Sequence, residues 1–367
     1  MSRNYDNWER LVDAVLRREK DWQIAHDHSR SPSSSSLSSD SSLPTDHGPV
    51  NIWRAEPYLY EQNPTAFSKD VITKGVFKKT TVPELVFLRG CSPSFVLGDI
   101  FRSSAQVLGK GTFGTSYSVT LDNGNKVVVK KLKDVILSKR EFEQQLEIFG
   151  SIRHENVVVP IAYYFSRDAF MIYDYQSQGS LSALLHGNTV ENQPDWETRL
   201  RIAKGTARGI AHIHTRHRGR LVHGNIKASN IFLNSQKYGC VSDFGLGSAE
   251  VVPVVMCTTG YRAPEVTIAG KVSQASDVYS FGVLLLELLT GKSPMNAIGV
   301  KKVDLVKWVL FLLGKDRRLE VFKGLALRFP NEVEEMGKML RVAMSCVADS
   351  PHHRPKMPDV LKMVEDL

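Results

Sequence analysis

Leu221–Leu233 reads L-V-H-G-N-I-K-A-S-N-I-F-L: an apolar lead-in, a polar turn and an apolar exit. That pattern predicts two short strands joined by a tight loop. The turn, His223-Gly224-Asn225-Ile226-Lys227-Ala228-Ser229-Asn230, holds an imidazole, an ammonium and two amides within eight positions. Such a loop fits many folds on its own, so its reading depends on what flanks it in the chain.

Upstream, Gln106–Val119 reads Q-V-L-G-K-G-T-F-G-T-S-Y-S-V, in which Gly109, Gly111 and Gly114 fit G-x-G-x-x-G. These glycines lie between two strand-like runs, and the turn Asp122-Asn123-Gly124 and another strand follow. That is the context of a β-hairpin, not the strand-to-helix context of a dinucleotide fold. In a hairpin, glycines let backbone N–H groups come close to phosphates. The next strand ends Val127-Val128-Val129-Lys130. Downstream come Asp243-Phe244-Gly245, then Thr258-Thr259-Gly260-Tyr261-Arg262, Ala263-Pro264-Glu265, and Arg354 in H-H-R-P-K-M. In this order and spacing the segments resemble the protein kinases, whose catalytic loop reads H-R-D-x-K-x-x-N. Their wording is similar to the cytoplasmic kinase domain of plant leucine-rich-repeat receptor-like kinases.

The resemblance implies an α+β, two-lobed kinase fold over residues 95–367, with a β-rich N-lobe at about 95–175 and a helical C-lobe at about 176–367. It implies ATP and Mg²⁺ as cofactors. The nucleotide would be lined by Leu108, Gly109, Gly111, Gly114, Val128, Lys130, Asp174, Tyr175 and Phe232, with Lys130 on the α- and β-phosphates. Tyr173 would guard the back of the pocket. Asn230 and Asp243 would hold the metal, and Lys227 would belong to the catalytic loop, as in the serine/threonine branch. Asp277, at the head of the apolar helix Val278–Leu289, would anchor that loop from below. Arg354 would pair with Glu265. Trp196–His214, apolar at every third or fourth residue, would run beneath as the spine of the larger lobe.

Several positions depart from an active kinase. Asn225 stands where the catalytic Asp would accept the substrate's proton, and Gly224 where an Arg would sense a phosphate on the activation segment. Gln145 stands where the Glu that pairs with Lys130 belongs; Glu141, one turn earlier, is a substitute partner. Val128 replaces a smaller adenine-facing Ala while Ser116 replaces a Val, changes that offset each other in volume or narrow the pocket. Phe232 replaces a smaller aliphatic against the base. An amide is no base, and a positioned base is worth about 10²–10⁴-fold in rate. The reading is therefore a pseudokinase, a cytoplasmic signalling module with little or no phosphotransfer, whose ATP binding the residues against the base leave open. The alternative is a low-activity ATP-dependent serine/threonine kinase. Expected partners are receptor kinases or their clients, which could recruit the chain to the plasma membrane.

The rest of the chain narrows this further. With 367 residues, 42% of them hydrophobic, it can bury a sizeable core. A formal charge of +8 invites nucleic acid, but no like-charge block or basic–aromatic stripe accompanies it, so a solvated basic surface is expected. Cys91, Cys240, Cys257 and Cys346 have neither metal nor disulfide spacing and read as reduced thiols. No apolar run is long enough to span a membrane, and Ser2 argues against myristoylation, so direct membrane insertion is not expected. Residues 1–28 suggest an amphipathic helix with Trp8, Leu11, Val12, Val15 and Trp22 on or near one face. It either docks on its own protein or stays loosely ordered, or else it binds a partner. Residues 29–94 combine the serine-rich stretch Arg30–Thr45, expected to be a flexible linker, with a region of no clear pattern. Ser31, Ser248, Thr258 and Thr259 are candidate phosphorylation sites.

Overall fold

The computed structural model describes residues 85–367 apart from 89, 92–93, 112, 134, 167, 188–192, 247–259 and 295–303. The N-terminal helix and serine-rich linker expected from the sequence lie outside the described residues, as do Cys257, Ser248, Thr258 and Thr259.

The N-lobe is built on one six-stranded antiparallel sheet in the order β1-β5-β6-β4-β3-β2. Its strands are β1 (Val86–Phe87), β2 (Ala105–Gly111), β3 (Gly114–Thr120), β4 (Lys126–Leu132), β5 (Ala162–Phe165) and β6 (Ala169–Asp174). β1 pairs with β5, and Leu85 and Leu88 beside it are buried, so the folded body takes in residues ahead of Phe95. Strand alternation decides which residues face the interlobe cavity. In β4, Val127 and Val129 pack with Phe170 and Ile172 on the outer face, where Ile100 of α1 (Leu97–Arg102) covers them. Val128 and Lys130 therefore point the other way, into the cleft.

The other sheet face is closed by α2 (Lys139–Ser151). Its buried Phe142, Leu146 and Phe149 recur four and three residues apart, and burial of each contributes roughly 1.5–3 kcal/mol. Phe142 meets the ring of Tyr163, and Phe149 meets Phe244, so α2 bridges the sheet to the Asp243-Phe244-Gly245 turn. A capping box starts this helix. Ser138 Oγ accepts from the Glu141 N–H, and the Glu141 carboxylate accepts from the Ser138 N–H at 2.9 Å.

In the C-lobe, α3 (Leu181–His186) follows the interlobe connection, with Ser180 as its N-cap as the sequence suggested. Next comes α4 (Trp196–Thr215), packed against the hairpin of β7 (Ile231–Leu233) and β8 (Gly239–Val241). Then α5 (Pro264–Ala269) leads to α6 (Gln274–Thr290), which is buried on nearly every side, as its mostly apolar sequence requires. Around it lie α7 (Leu305–Leu313), α8 (Arg318–Val321), α9 (Lys323–Arg328), α10 (Val333–Cys346) and α11 (Met357–Glu365). Arg354 forms a bidentate pair with Glu265 at 2.6 and 2.8 Å, tying the start of α5 to the segment before α11. Among the described residues no helix is long and apolar enough to cross a membrane.

One local expectation is corrected. Only the exit of Leu221–Leu233 is a strand; the lead-in is not. The N–H groups of His223 and Gly224 donate to the carboxylate of Asp277 instead of to a β ladder.

Candidate nucleotide cavity

Between the lobes lies a cavity of about 390 Å³, lined by both sheet and loop residues. Its roof is the β2–β3 hairpin with Leu108, Gly109, Lys110, Gly111 and Gly114. Only glycine fits at 114: its φ is +149°, and a Cβ there would lie 2.0 Å from the carbonyl oxygen of Lys131. Val128 and Lys130 come from β4, and Tyr173, Asp174 and Tyr175 from the end of β6 and the link between the lobes. Phe232 of β7 forms the floor, beside Asn225, Lys227, Asn230 and Asp243. The cavity thus brings together every residue assigned to a site from the sequence. Ser116 lines it too, across the hairpin from Lys130 in register.

The loop beneath is held through its backbone. Asp277, almost wholly buried at the start of α6, accepts from the N–H groups of His223 and Gly224 at 2.7 and 2.8 Å and from His214 Nε2 at 2.8 Å. Gly224 has φ +74°, a conformation in which glycine carries no steric penalty. The Asn225 N–H donates to His223 Nδ1, and its carbonyl accepts from Asn230 Nδ2 at 2.9 Å. The Asn225 side-chain nitrogen is buried without a hydrogen-bond partner. Turned either way, that amide has neither the charge nor the basicity to take a proton.

Burial pushes the His223 imidazole down to about 4, so it is neutral in the fold. Below about pH 6.5 the unfolded chain gains a proton that the native site refuses. His223 therefore favours the native state fully above pH 6.5, and that contribution, about 3 kcal/mol, is lost as pH falls toward 4. His154 and His212, whose tilted rings lie 4.5 Å apart, are also lowered by burial and act in the same direction. Urea midpoints should fall between pH 7 and pH 5, and less steeply in His223→Gln; equal slopes would refute the assignment.

The charged groups at the cavity's back pair differently from the sequence expectation. Lys130 forms an ion pair with Asp243 Oδ2, and Tyr173 donates its hydroxyl to Asp243 Oδ1 at 3.3 Å. Burial, then the Asp243 charge, holds the Tyr173 phenol well above its ordinary range, so it remains a donor. The Gln145 side chain makes no hydrogen bond among the described residues. Glu141 is not the substitute partner proposed above, because its carboxylate is spent on the helix cap at Ser138. The spacing Ser138-x-x-Glu141 is itself the sequence signal for that cap. The sequence reading also missed the bond from Tyr173 to Asp243 and the buried cluster around Glu287. There Tyr261 donates to Glu287, His186 Nε2 lies 2.7 Å from the same carboxylate, and the Ala228 N–H donates to the Tyr261 oxygen. None of these has a local sequence signature.

Residues 103–364 match the family model described as protein tyrosine and serine/threonine kinase. The chain is 54% identical over 289 residues to a "Probable inactive receptor kinase" of Arabidopsis thaliana, covering 77% of this chain and 45% of that one. The chain spans about half the length of the curated relatives it matches. Among solved structures, the pseudokinase domain of BIR2, an immune regulator of the RLK/Pelle family, superposes with a TM-score of 0.67 at 29% identity, covering 77% of this chain and 89% of that chain. The maize sucrose-induced receptor kinase 1 kinase domain, bound to AMP-PNP, gives 0.67 at 34% identity, covering 77% and 99%. With this fold, this cavity and a family match over most of its length, the chain belongs to the protein tyrosine and serine/threonine kinases, and plant receptor kinases named inactive are among its homologues.

Proposed function

We propose that this chain is a pseudokinase: a kinase-shaped signalling module that binds an adenine nucleotide and transfers little or no phosphate. The observation that carries the reading is the Asn225 amide at the base position, its nitrogen buried without a partner, in a loop that Asp277 holds through the N–H groups of His223 and Gly224. A hydroxyl substrate brought there would meet no group able to take its proton. Lys130 has no carboxylate from α2 to steady it, and Gly224 offers no side chain to a phosphorylated activation segment.

The cavity suits the nucleotide. Leu108, Val128 and Phe232 supply apolar contact for a base, and the hairpin glycines and Lys130 suit phosphates. Mg²⁺, when bound in a kinase, neutralises phosphate charge and aligns the transferred group. The donor set here does not fit it well: both Asp243 oxygens are engaged, and the remaining ligand, Asn230, is a neutral amide. Cytoplasmic signalling proteins such as receptor kinases are the proposed partners, and membrane recruitment would come through them.

The second reading, a slow serine/threonine kinase, draws support from Lys130, Lys227, Asn230 and Asp243 sharing one cavity. Purified protein supplied with ATP and Mg²⁺ separates the two. Phosphate transfer no greater than in a Lys130→Met control is expected. Turnover of about 1–100 s⁻¹, the ordinary kinase range, abolished in that control, would refute the pseudokinase.

A further inference from the structure

The phosphate end of the cavity has an unusual charge balance. Among the described residues, Lys110, Lys130 and Lys227 line it against a single carboxylate, Asp243, because position 225 is an amide; Asp174 lies apart, at the exposed link between the lobes. Asp243 is not held ready for a cation. Its Oδ2 pairs with Lys130, and its Oδ1 accepts from the buried hydroxyl of Tyr173. A divalent ion that took either oxygen would compete there with a donor already bonded to it and repel the Lys130 ammonium. Among the described residues the Tyr173 hydroxyl has no other oxygen acceptor, only the Met171 sulfur at 3.8 Å. Lys130 would have to share its carboxylate with the ion, since Gln145 is neutral and Glu141 caps its own helix. A polyphosphate without metal meets none of these costs. It brings its own negative charge to lysines already on the wall and leaves Asp243 where it is.

We propose that the cavity takes an adenine nucleotide as its metal-free polyphosphate, and that the Tyr173 hydroxyl sets this preference by holding Asp243 away from a divalent cation. The inference rests on reading the cavity as a nucleotide site. It makes Tyr173 a specificity-determining residue whose effect runs through Asp243.

The test is a pair of titrations of the full chain with ATP, one in EDTA and one in excess Mg²⁺, read as thermal-melt shifts and by calorimetry. Binding in EDTA is expected to be at least as tight as in Mg²⁺. In Tyr173→Phe, Oδ1 is released, and Mg²⁺ should now strengthen ATP binding about tenfold, the scale of one hydrogen bond to a charged group. Asp243→Asn should bind ATP more tightly than the parent in EDTA and ignore Mg²⁺. The wild-type comparison of EDTA with Mg²⁺ decides the metal-free preference if Tyr173→Phe does not fold. Wild-type binding that requires Mg²⁺ would overturn the metal-free preference while leaving the nucleotide site intact. A Tyr173→Phe response identical to wild type would remove Tyr173 from the account. No shift with ATP or ADP under either condition would refute the nucleotide site, and this inference with it.

Discussion

Asn225→Asp is expected to fold like the parent and still to transfer no phosphate at an ordinary kinase rate. Position 225 lies on a loop whose backbone bonds run to Asp277, His223 and Asn230, and none of them uses the residue's own side chain. The new carboxylate should therefore sit where the amide now sits. Restoring a base recovers at most about 10²–10⁴-fold. Lys130 would remain paired with Asp243 and unsupported from α2, and misplacement of a reacting group by about 1 Å costs on the order of 10²-fold. The triple change Asn225→Asp, Gln145→Glu, Tyr173→Phe should exceed the sum of its parts, because Glu would draw Lys130 off Asp243 while Phe frees Oδ1. Single-turnover transfer to a generic protein substrate measures both. Kinase-range turnover from Asn225→Asp alone would show that the missing base was the only defect.

Asp277→Ala is the substitution expected to cost most stability. One carboxylate, 1% exposed, satisfies the His223 and Gly224 N–H groups and the His214 ring, and nothing else described replaces it. Removing one partner of a buried charged contact costs about 3–5 kcal/mol. For a body this size the melting temperature should fall by roughly 10 °C, and ATP-induced stabilisation should shrink as the loop lining the cavity loosens. Asp277→Asn keeps an acceptor oxygen for one N–H and should lose about half as much. A melt within about 1 °C of the parent after Asp277→Ala would mean that the loop is held some other way.

How much was legible in advance follows from how far apart the interacting residues lie. Gly109-x-Gly111-x-x-Gly114, Val127–Lys130, Asp243-Phe244-Gly245 and Ala263-Pro264-Glu265 are local strings, and the fold and the cavity lining could be read from them. Trp196–Thr215 carried its helical period openly, and Val278–Leu289 stood out as a nearly continuous apolar helix. β1 is two residues long and has no pattern to read. The lead-in Leu221–Val222 looked like a strand because apolar residues precede a turn; Asp277, more than fifty positions away, takes the amides instead. Lys130 and Asp243 are 113 residues apart, so no spacing rule could pair them. Glu141 was legible but misassigned, since the capping box that claims it was already spelled out by Ser138.

The grip of Asp277 on two main-chain N–H groups separates shape from reactivity. A catalytic loop fastened through peptide groups can exchange the side chains at 224 and 225 with little strain on its own path. An ancestral enzyme built this way could lose its chemistry by point mutation and keep, intact, the surface that other proteins recognise.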